Sequence, residues 1–325
     1  MPRTMPPGAL RRGERLDSAG AGRDNGLRFG EDGSERTMGM GSVTRLLRPA
    51  MEGARWRLRQ MQDRVLPDFV IIGAQKSGTS SLYRYLARHP QVRESTVKEV
   101  HYFDGGVEEG TDTYALGERW YRAHFPLASE MAPGIMAYEA SPLYLLHPLA
   151  AERMARLLPR VKLVAVLRNP TDRALSHYFH NVRKNAARRC QEDLAPGPAM
   201  AAEEDRLAAV LARGDYGDEA FRAYTYKARG RYLEQLERYW SHFPRESLLV
   251  LRAEDLFEDP AGFMGGLCDF LGLDRPAGGG DFRPENVGTN RQTVDAGVRA
   301  ELDAYFAPMN RALDAALGRD FGWSG

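Results

Sequence analysis

The chain has 325 residues, of which 43% are hydrophobic and 27% are charged, so it can bury a substantial core without needing a metal or a disulfide to fold. Forty-five lysines and arginines against 44 acidic residues give a formal net charge of +1, which excludes an overall electrostatic signature of a nucleic-acid-binding protein. The two cysteines, Cys190 and Cys268, are too few for a disulfide framework or a structural zinc cluster and favour a reducing compartment.

The N-terminal part of the chain differs from the rest in composition. Residues 1–50 are rich in Gly, Arg, Ser and Pro and show almost no hydrophobic period, which predicts a disordered extension. Residues 51–66 have helical character and predict a lead-in helix before a main domain at 67–325. No stretch approaches the roughly 20 apolar residues of a membrane span, and the start lacks the apolar centre of a secretory signal. We therefore expect a soluble, cytoplasmic protein; its oligomeric state is left open.

The main domain opens with a strand, a loop and a helix. Residues 68–73, DFVIIG, form a short β-branched apolar run that is typical of a strand buried on both faces. A glycine-bearing loop follows, after which Leu82, Tyr85 and Leu86 recur at helical spacing until Pro90. This order predicts a strand whose carboxyl end leads directly into a helix.

The same order recurs further along the chain. Residues 161–167 are an apolar strand, and Pro170 suits the first turn of a helix. Two such units predict an α/β fold with a central parallel sheet flanked by helices. An insertion at about 185–222, with a short helix near 201–213, interrupts the alternation. The other predicted elements are strands around 135–139 and 247–252 and helices around 147–158, 228–242, 260–271 and 295–317.

The loop at residues 73–80, GAQKSGTS, has the features of an anion site. Because it joins a strand to a helix, backbone N–H groups and the helix dipole converge on one point. It does not match the loop of nucleotide triphosphatases, since Thr79 follows Gly78 where they have a lysine, and Lys76 comes earlier. The strand at 161–167 ends in Arg168 instead of an acidic residue that would help to hold Mg²⁺. These departures indicate a nucleotide with two separated phosphate groups and chemistry without an obligatory metal.

Several longer stretches carry a family resemblance. The opening PDFVIIGAQKSGTSSLYRYLARHPQV, followed by KEVHYFD, resembles the sulfotransferases, in particular the branch of heparan sulfate N- and 3-O-sulfotransferases. The segment VKLVAVLRNPTDRALSHYFH is similar to that family's 3′-phosphate motif, and the C-terminal YFAPMNRALDAALGRDFGW resembles the branch's ending. The resemblance covers residues 67–323 and implies a P-loop-like three-layer sandwich. It also implies 3′-phosphoadenosine 5′-phosphosulfate as the donor, adenosine 3′,5′-bisphosphate as the product and no metal.

The resemblance assigns roles to individual residues. Arg168 and Ser176 match the family's pair for the 3′-phosphate, where a guanidinium and a hydroxyl are suitable donors. Glu99 matches the catalytic base, with His101 supporting it. Lys76 would stabilise the leaving phosphate in an in-line transfer. The residues implied to hold the 5′-phosphosulfate end are Lys76, Ser77, Gly78, Thr79 and Ser80.

Two further donor contacts are weaker matches. Tyr232 corresponds to an aromatic near the adenine, but an aromatic on the core-facing side of an amphipathic helix is an equal interpretation. The segment ENVGTNRQ stands where the branch has a Lys-Gly-Arg type of loop over the donor, and its lysine is missing here. The candidate residues in this segment are Gly288, Thr289, Asn290 and Arg291.

Two other functions compete with sulfuryl transfer. A P-loop small-molecule kinase shares the strand, loop and helix and would depend on Mg²⁺. A nucleotide-binding protein without turnover would keep the fold, although Lys76 and Glu99 are both present. The acceptor is a hydroxyl or an amine of a small molecule or glycan, with a carbohydrate or a glycosylated or lipid metabolite favoured by the resemblance. A nucleic-acid partner is not indicated.

Overall fold

The computed structural model describes residues 53–106, 110–184, 191–275, 282 and 294–323. The predicted extension at 1–50 lies outside these ranges, and so do the predicted donor-loop residues Gly288, Thr289, Asn290 and Arg291. Among the described residues, no helix is long and apolar enough to cross a membrane.

A five-stranded parallel sheet forms the centre of the fold, in the order β2-β3-β1-β4-β5. In register, Ile71 of the central strand lies between Ala140 and Val164. The prediction of an α/β fold with a central parallel sheet is confirmed. Only β2 had no counterpart in the prediction, because its sequence, VRE, contains no apolar run. The strands are β1 (Phe69–Gly73), β2 (Val92–Glu94), β3 (Met136–Ala140), β4 (Lys162–Leu167) and β5 (Leu248–Arg252).

Helices cover both faces of this sheet, because alternate residues of each strand point to opposite sides. On one face, Val70 and Ile72 join a core with α3, α4, α9 and α12; on the other, Phe69 and Ile71 join a core with α2, α10 and α11. The helices are α1 (53–61), α2 (Thr79–Ala87), α3 (Gly117–Arg122), α4 (Ala150–Leu157), α5 (Pro170–Lys184), α6 (Pro196–Ala201), α7 (Glu203–Arg213), α8 (Glu219–Tyr224), α9 (Tyr232–Trp240), α10 (Ala253–Glu258), α11 (Pro260–Leu271) and α12 (Ala296–Leu317).

The helix boundaries follow local sequence signals. Helix α2 ends at Ala87, three residues before Pro90, and α5 begins at Pro170. Within the predicted insertion, α7 coincides with the expected short helix, and α6 and α8 flank it. The lead-in helix ends at residue 61, after which Arg64 forms an antiparallel bridge with Leu127.

Candidate active site

The loop between β1 and α2 presents backbone donors at the carboxyl edge of the sheet. Gly78 is the N-cap of α2, and the first helical bond is donated by Leu82 N–H to Gly78 O at 3.1 Å. Thr79 and Ser80 come before the first helical donor, so their N–H groups have no partner within the helix and lie at the positive end of the helix dipole. This arrangement is suited to binding an anion.

The shape of this loop depends on a glycine. Gly78 has φ 84°, and a Cβ at this position would lie 3.0 Å from Phe257 Cζ and 3.2 Å from Leu256 Cδ2. An L side chain would therefore be strained both by the backbone conformation and by contact. Within the loop, the buried Ser77 Oγ has no hydrogen-bond partner among the described residues. An orphaned hydroxyl beside free backbone donors fits a phosphate or sulfate oxygen as its missing partner.

Cationic side chains surround the loop, at the ends of β1 and β4. Arg168 Nη1 donates to the Lys76 carbonyl at 3.3 Å, so the two predicted phosphate-binding residues are brought together. Lys76 Nζ lies 3.3 Å from His180 Nδ1. An ammonium group can only donate, so an imidazole nitrogen facing it can contribute only as an acceptor. Ser176 lies half-buried on α5, one turn before His180.

His180 is a site residue that the sequence interpretation missed. Its separation from Lys76 is 104 residues, so no local pattern links the two. The available signal was its spacing of four residues from Ser176, which places both on one face of α5.

Tyr232 lies in the core beneath the cationic residues. Its side chain is only 2% exposed, its ring centroid lies 6.1 Å from that of Trp323, and its hydroxyl donates to the Arg168 carbonyl at 2.8 Å. This packing favours the core interpretation of Tyr232 over direct contact with an adenine. The residue instead holds the main chain from which the Arg168 side chain extends.

A chain of charged groups lies at the end of β3, next to β1. Glu99 N–H donates to Ala140 O at 3.1 Å, which ties the predicted base to the strand end. Glu99 Oε1 lies 2.5 Å from Lys98 Nζ, and Oε2 lies 3.3 Å from His101 Nε2. His101 Nδ1 in turn lies 2.6 Å from Oδ2 of the buried Asp104. Asp104 was missed from the sequence although it ends the KEVHYFD motif, because its link to the imidazole depends on how the turn folds.

The contacts determine the charge of each group. Burial raises the pKa of Glu99, but hydrogen bonding by His101 and the charge of Lys98 outweigh it and lower the pKa to about 2. Burial lowers the pKa of His101, but the hydrogen bonds with Asp104 and Glu99 outweigh it and raise the pKa to about 9. At neutral pH, therefore, Glu99 is ionised, 37% exposed and next to an imidazolium.

The stability that this group contributes depends on pH. The pKa of His101 rises above its ordinary value of 6.5, so its contribution is complete below pH 6.5 and is lost as pH rises through about 9. The pKa of Glu99 falls below its ordinary value of 4.5, so its contribution is complete above pH 4.5 and is lost as pH falls through about 2. Both contributions are complete between pH 4.5 and pH 6.5, so the folded site is most stable in this range.

Removing the Asp104 charge tests this reading of His101. We expect Asp104→Asn to lower the pKa of His101 by about one pH unit or more, because a hydrogen-bonded negative charge is lost. An NMR titration of the His101 ring measures the shift directly. The control is Asp112→Asn, whose 49% exposed side chain pairs with Arg153 at 3.7 Å and not with His101. An unchanged titration of His101 in Asp104→Asn would contradict the assignment.

The three groups share one edge of the sheet. Lys76 and Arg168 follow the carboxyl ends of β1 and β4, and Glu99 is hydrogen-bonded to the carboxyl end of β3, the other neighbour of β1 in the sheet. Ligands of open α/β sheets bind outside these strand ends. The edge thus combines an anion-binding loop, two cations and an ionised carboxylate, the components needed to bind an anionic donor and to remove a proton from an acceptor.

Comparison with known proteins agrees with this chemistry. The family profile described as "Sulfotransferase domain" matches residues 66–287. The chain is 26% identical over 322 residues to the membrane-associated sulfotransferase kil1 of Dictyostelium discoideum, covering 79% of this chain and 66% of that protein. It is 28% identical over 282 residues to heparan sulfate glucosamine 3-O-sulfotransferase 6 of Mus musculus, covering 80% of this chain and 74% of that protein.

A solved structure resembles the whole fold. The sulfotransferase from Alicyclobacillus acidocaldarius is 32% identical, with a TM-score of 0.63, and the match covers 80% of this chain and 100% of that one. The chain spans only about two thirds of the length of the kil1 protein. The matched region nevertheless contains the anion loop, Glu99 and Arg168, and on this evidence the chain belongs to the sulfotransferase domain family.

Proposed function

We propose that this protein transfers a sulfuryl group from 3′-phosphoadenosine 5′-phosphosulfate to a hydroxyl, or to an amine, of a carbohydrate-containing acceptor. The observation that supports this most directly is the placement of Lys76, Arg168 and Glu99 at three adjacent strand ends. A cation pair and an ionised carboxylate beside one loop serve both halves of such a transfer, since one half binds an anion and the other takes a proton.

The residues at the loop fit the donor. The N–H groups of Thr79 and Ser80, with the unpartnered Ser77 Oγ, would hold the 5′ end. Arg168 and Ser176 would hold the 3′-phosphate, for which a guanidinium supplies two parallel donors. When bound, the donor supplies an activated sulfuryl group. No metal ligand is required of the chain, because its own cations offset the phosphate charge.

Lys76 and Glu99 would act on the reaction itself. The Lys76 ammonium stabilises negative charge that develops on the departing phosphate, and this charge is larger in the transition state than in the bound ground state. The Glu99 carboxylate accepts the proton of the acceptor. Its Oε2 is held by His101 at 3.3 Å, which leaves Oε1, now beside Lys98, to receive that proton once the acceptor has replaced the ammonium.

The acceptor class is inferred from relatives. Heparan sulfate glucosamine 3-O-sulfotransferase 6 of the mouse is named for a sugar hydroxyl. The near-neutral charge of this chain, +1 overall, favours a short or weakly charged glycan or glycosylated metabolite over a long polyanion.

Calorimetric titration tests the donor assignment. The protein is titrated with adenosine 3′,5′-bisphosphate in EDTA and, in parallel, with ATP plus Mg²⁺, and radiolabelled donor is then offered with a panel of oligosaccharides and amino sugars. We expect metal-independent binding of the bisphosphate, lost in Lys76→Ala, and label transfer to at least one sugar. Binding of ATP with Mg²⁺ alone would support a kinase, and bisphosphate binding without transfer to any acceptor would support a binding protein without turnover.

A further inference from the structure

A buried carboxyl lies next to the turn that carries Glu99. Glu139, near the end of β3, is 0% exposed and contacts three hydroxyl groups. The Tyr121 hydroxyl donates to Oε1 at 2.6 Å, the Tyr144 hydroxyl donates to Oε1 at 3.1 Å, and Ser141 Oγ donates to Oε2 at 2.7 Å. Burial raises the pKa of Glu139 to about 7, although the three donors counteract the rise. A carboxyl is costly to bury in an aromatic core, so its retention calls for an explanation.

Two of the three hydroxyls also accept from the main chain of the Glu99 turn. His101 N–H donates to Ser141 Oγ at 3.1 Å, and Tyr102 N–H donates to the Tyr144 hydroxyl at 2.8 Å. Each hydroxyl has a single proton. Because each accepts from an N–H group on one side, its own proton is directed to Glu139 on the other.

The turn held in this way has an unusual backbone. Glu99 has φ 63° and His101 has φ 54°, a left-handed conformation that is unfavourable for a non-glycine residue. Such a conformation persists only where surrounding contacts enforce it. The main-chain contacts of this turn include Glu99 N–H to Ala140 O, the bonds from Thr113 Oγ1 to the His101 and Tyr102 carbonyls, and the two hydroxyl bridges that end on Glu139.

We infer that Glu139 is a positioning residue for Glu99, acting through Ser141 and Tyr144 to hold the turn in the conformation that aims the base at the acceptor. The inference rests on the proposed function, in which Glu99 takes the acceptor proton. Glu139 itself is fully buried and does not touch the reacting atoms.

Glu139→Gln tests the inference, because all three hydroxyl groups donate to the Glu139 carboxylate and an amide cannot accept at both of its ends. In Glu139→Gln the volume is nearly unchanged, but one of the two oxygens becomes an NH₂ group, which donates. If this NH₂ group faces Ser141, Oγ accepts from it as well as from His101 N–H, and the Ser141 hydroxyl proton has no acceptor. If the NH₂ group faces the tyrosines, the hydroxyl protons of Tyr121 and Tyr144 lose their acceptor. A hydroxyl oxygen can accept two hydrogen bonds, so either orientation leaves a hydroxyl proton without its acceptor and thereby weakens one of the bridges to the turn.

Tyr121 provides a matched control. Tyr121 and Tyr144 both donate to Oε1 of Glu139, but only Tyr144 also binds the turn. Either substitution removes one buried hydrogen bond to that oxygen, whereas only Tyr144→Phe also leaves Tyr102 N–H without its acceptor. Tyr121→Phe should therefore lower stability without affecting the reaction, whereas Tyr144→Phe should lower both.

The experiment measures kcat, KM for the donor, bisphosphate affinity and melting temperature for Glu139→Gln, Ser141→Ala, Tyr144→Phe and Tyr121→Phe. For the first three we expect kcat to fall on the order of 10- to 100-fold, as for a small misplacement of a catalytic group, with donor KM and bisphosphate affinity unchanged. We expect kcat of Tyr121→Phe to equal that of the wild type. Ser141→Ala and Tyr144→Phe keep the test decisive if Glu139→Gln does not fold.

Two outcomes overturn the inference. One is an equal loss of kcat in Tyr121→Phe and Tyr144→Phe that follows their loss of melting temperature, since this would show a structural role only. The other is wild-type kcat in Glu139→Gln and Tyr144→Phe while Glu99→Gln is inactive. Retained turnover in Glu99→Gln, by contrast, would contradict the proposed base and so the proposed function itself.

Discussion

Glu99→Gln is expected to lower kcat by about 100-fold or more, the range that a positioned general base contributes, and to leave the affinity for adenosine 3′,5′-bisphosphate unchanged. The amide keeps the size of the side chain but cannot accept the proton of an acceptor hydroxyl. The donor groups lie instead at the ends of β1 and β4, where Arg168 contacts the Lys76 carbonyl. Turnover with a sugar acceptor, together with calorimetric titration of the bisphosphate, measures the two effects separately.

The control for this variant is Glu94→Gln, an exposed carboxylate on β2. It should have wild-type kcat, because it removes the same charge from an exposed side chain that lies outside the linked group of Lys98, Glu99, His101 and Asp104. Loss of bisphosphate affinity in Glu99→Gln with turnover retained would show that Glu99 belongs to the donor site and is not the base. Equal loss of turnover in Glu94→Gln would show a general effect of charge.

Arg168→Ala is expected to weaken bisphosphate binding by about 10- to 100-fold, because a hydrogen bond to a charged group contributes about 1.5–3 kcal/mol. Arg168 acts in two ways: its guanidinium is available to a phosphate, and Nη1 donates to the Lys76 carbonyl at 3.3 Å, which supports the anion loop. Arg168→Lys separates these contributions, since it keeps the charge and loses the forked geometry. Titration calorimetry of both variants gives the two values.

The matched control is Arg160→Ala, which removes an exposed arginine just before β4. Its bisphosphate affinity should equal that of the wild type at the same ionic strength. Unchanged affinity in Arg168→Ala would remove this residue from the donor site. An equal loss in both variants would indicate attraction by the overall charge of the protein, which salt would suppress.

Local sequence patterns predicted four of the five strands, the anion loop and the family resemblance. These features depend on local patterns: a short β-branched run before GAQKSGTS predicts a buried strand that leads into a helix, and an apolar run ending in Arg168 predicts a second strand of the same kind. Because the carboxyl ends of parallel strands meet at one edge, these local elements also indicate the edge of the sheet at which a ligand binds. The strand β2 was not predicted, because its sequence, VRE, has two charged residues among three and shows no hydrophobic pattern.

The side chains that complete the site come together only in the folded chain. His180 reaches Lys76 across 104 residues of sequence, and Glu139 reaches the Glu99 turn through the hydroxyls of Ser141 and Tyr144. No periodicity encodes these contacts, because they depend on the packing of separate elements and on the direction of each hydroxyl proton. The same packing turned Tyr232 into a core residue under Arg168. Local sequence patterns thus identify the strand ends at which the site forms. The protonation state and the orientation of each site side chain depend on neighbours that come together only in the folded chain.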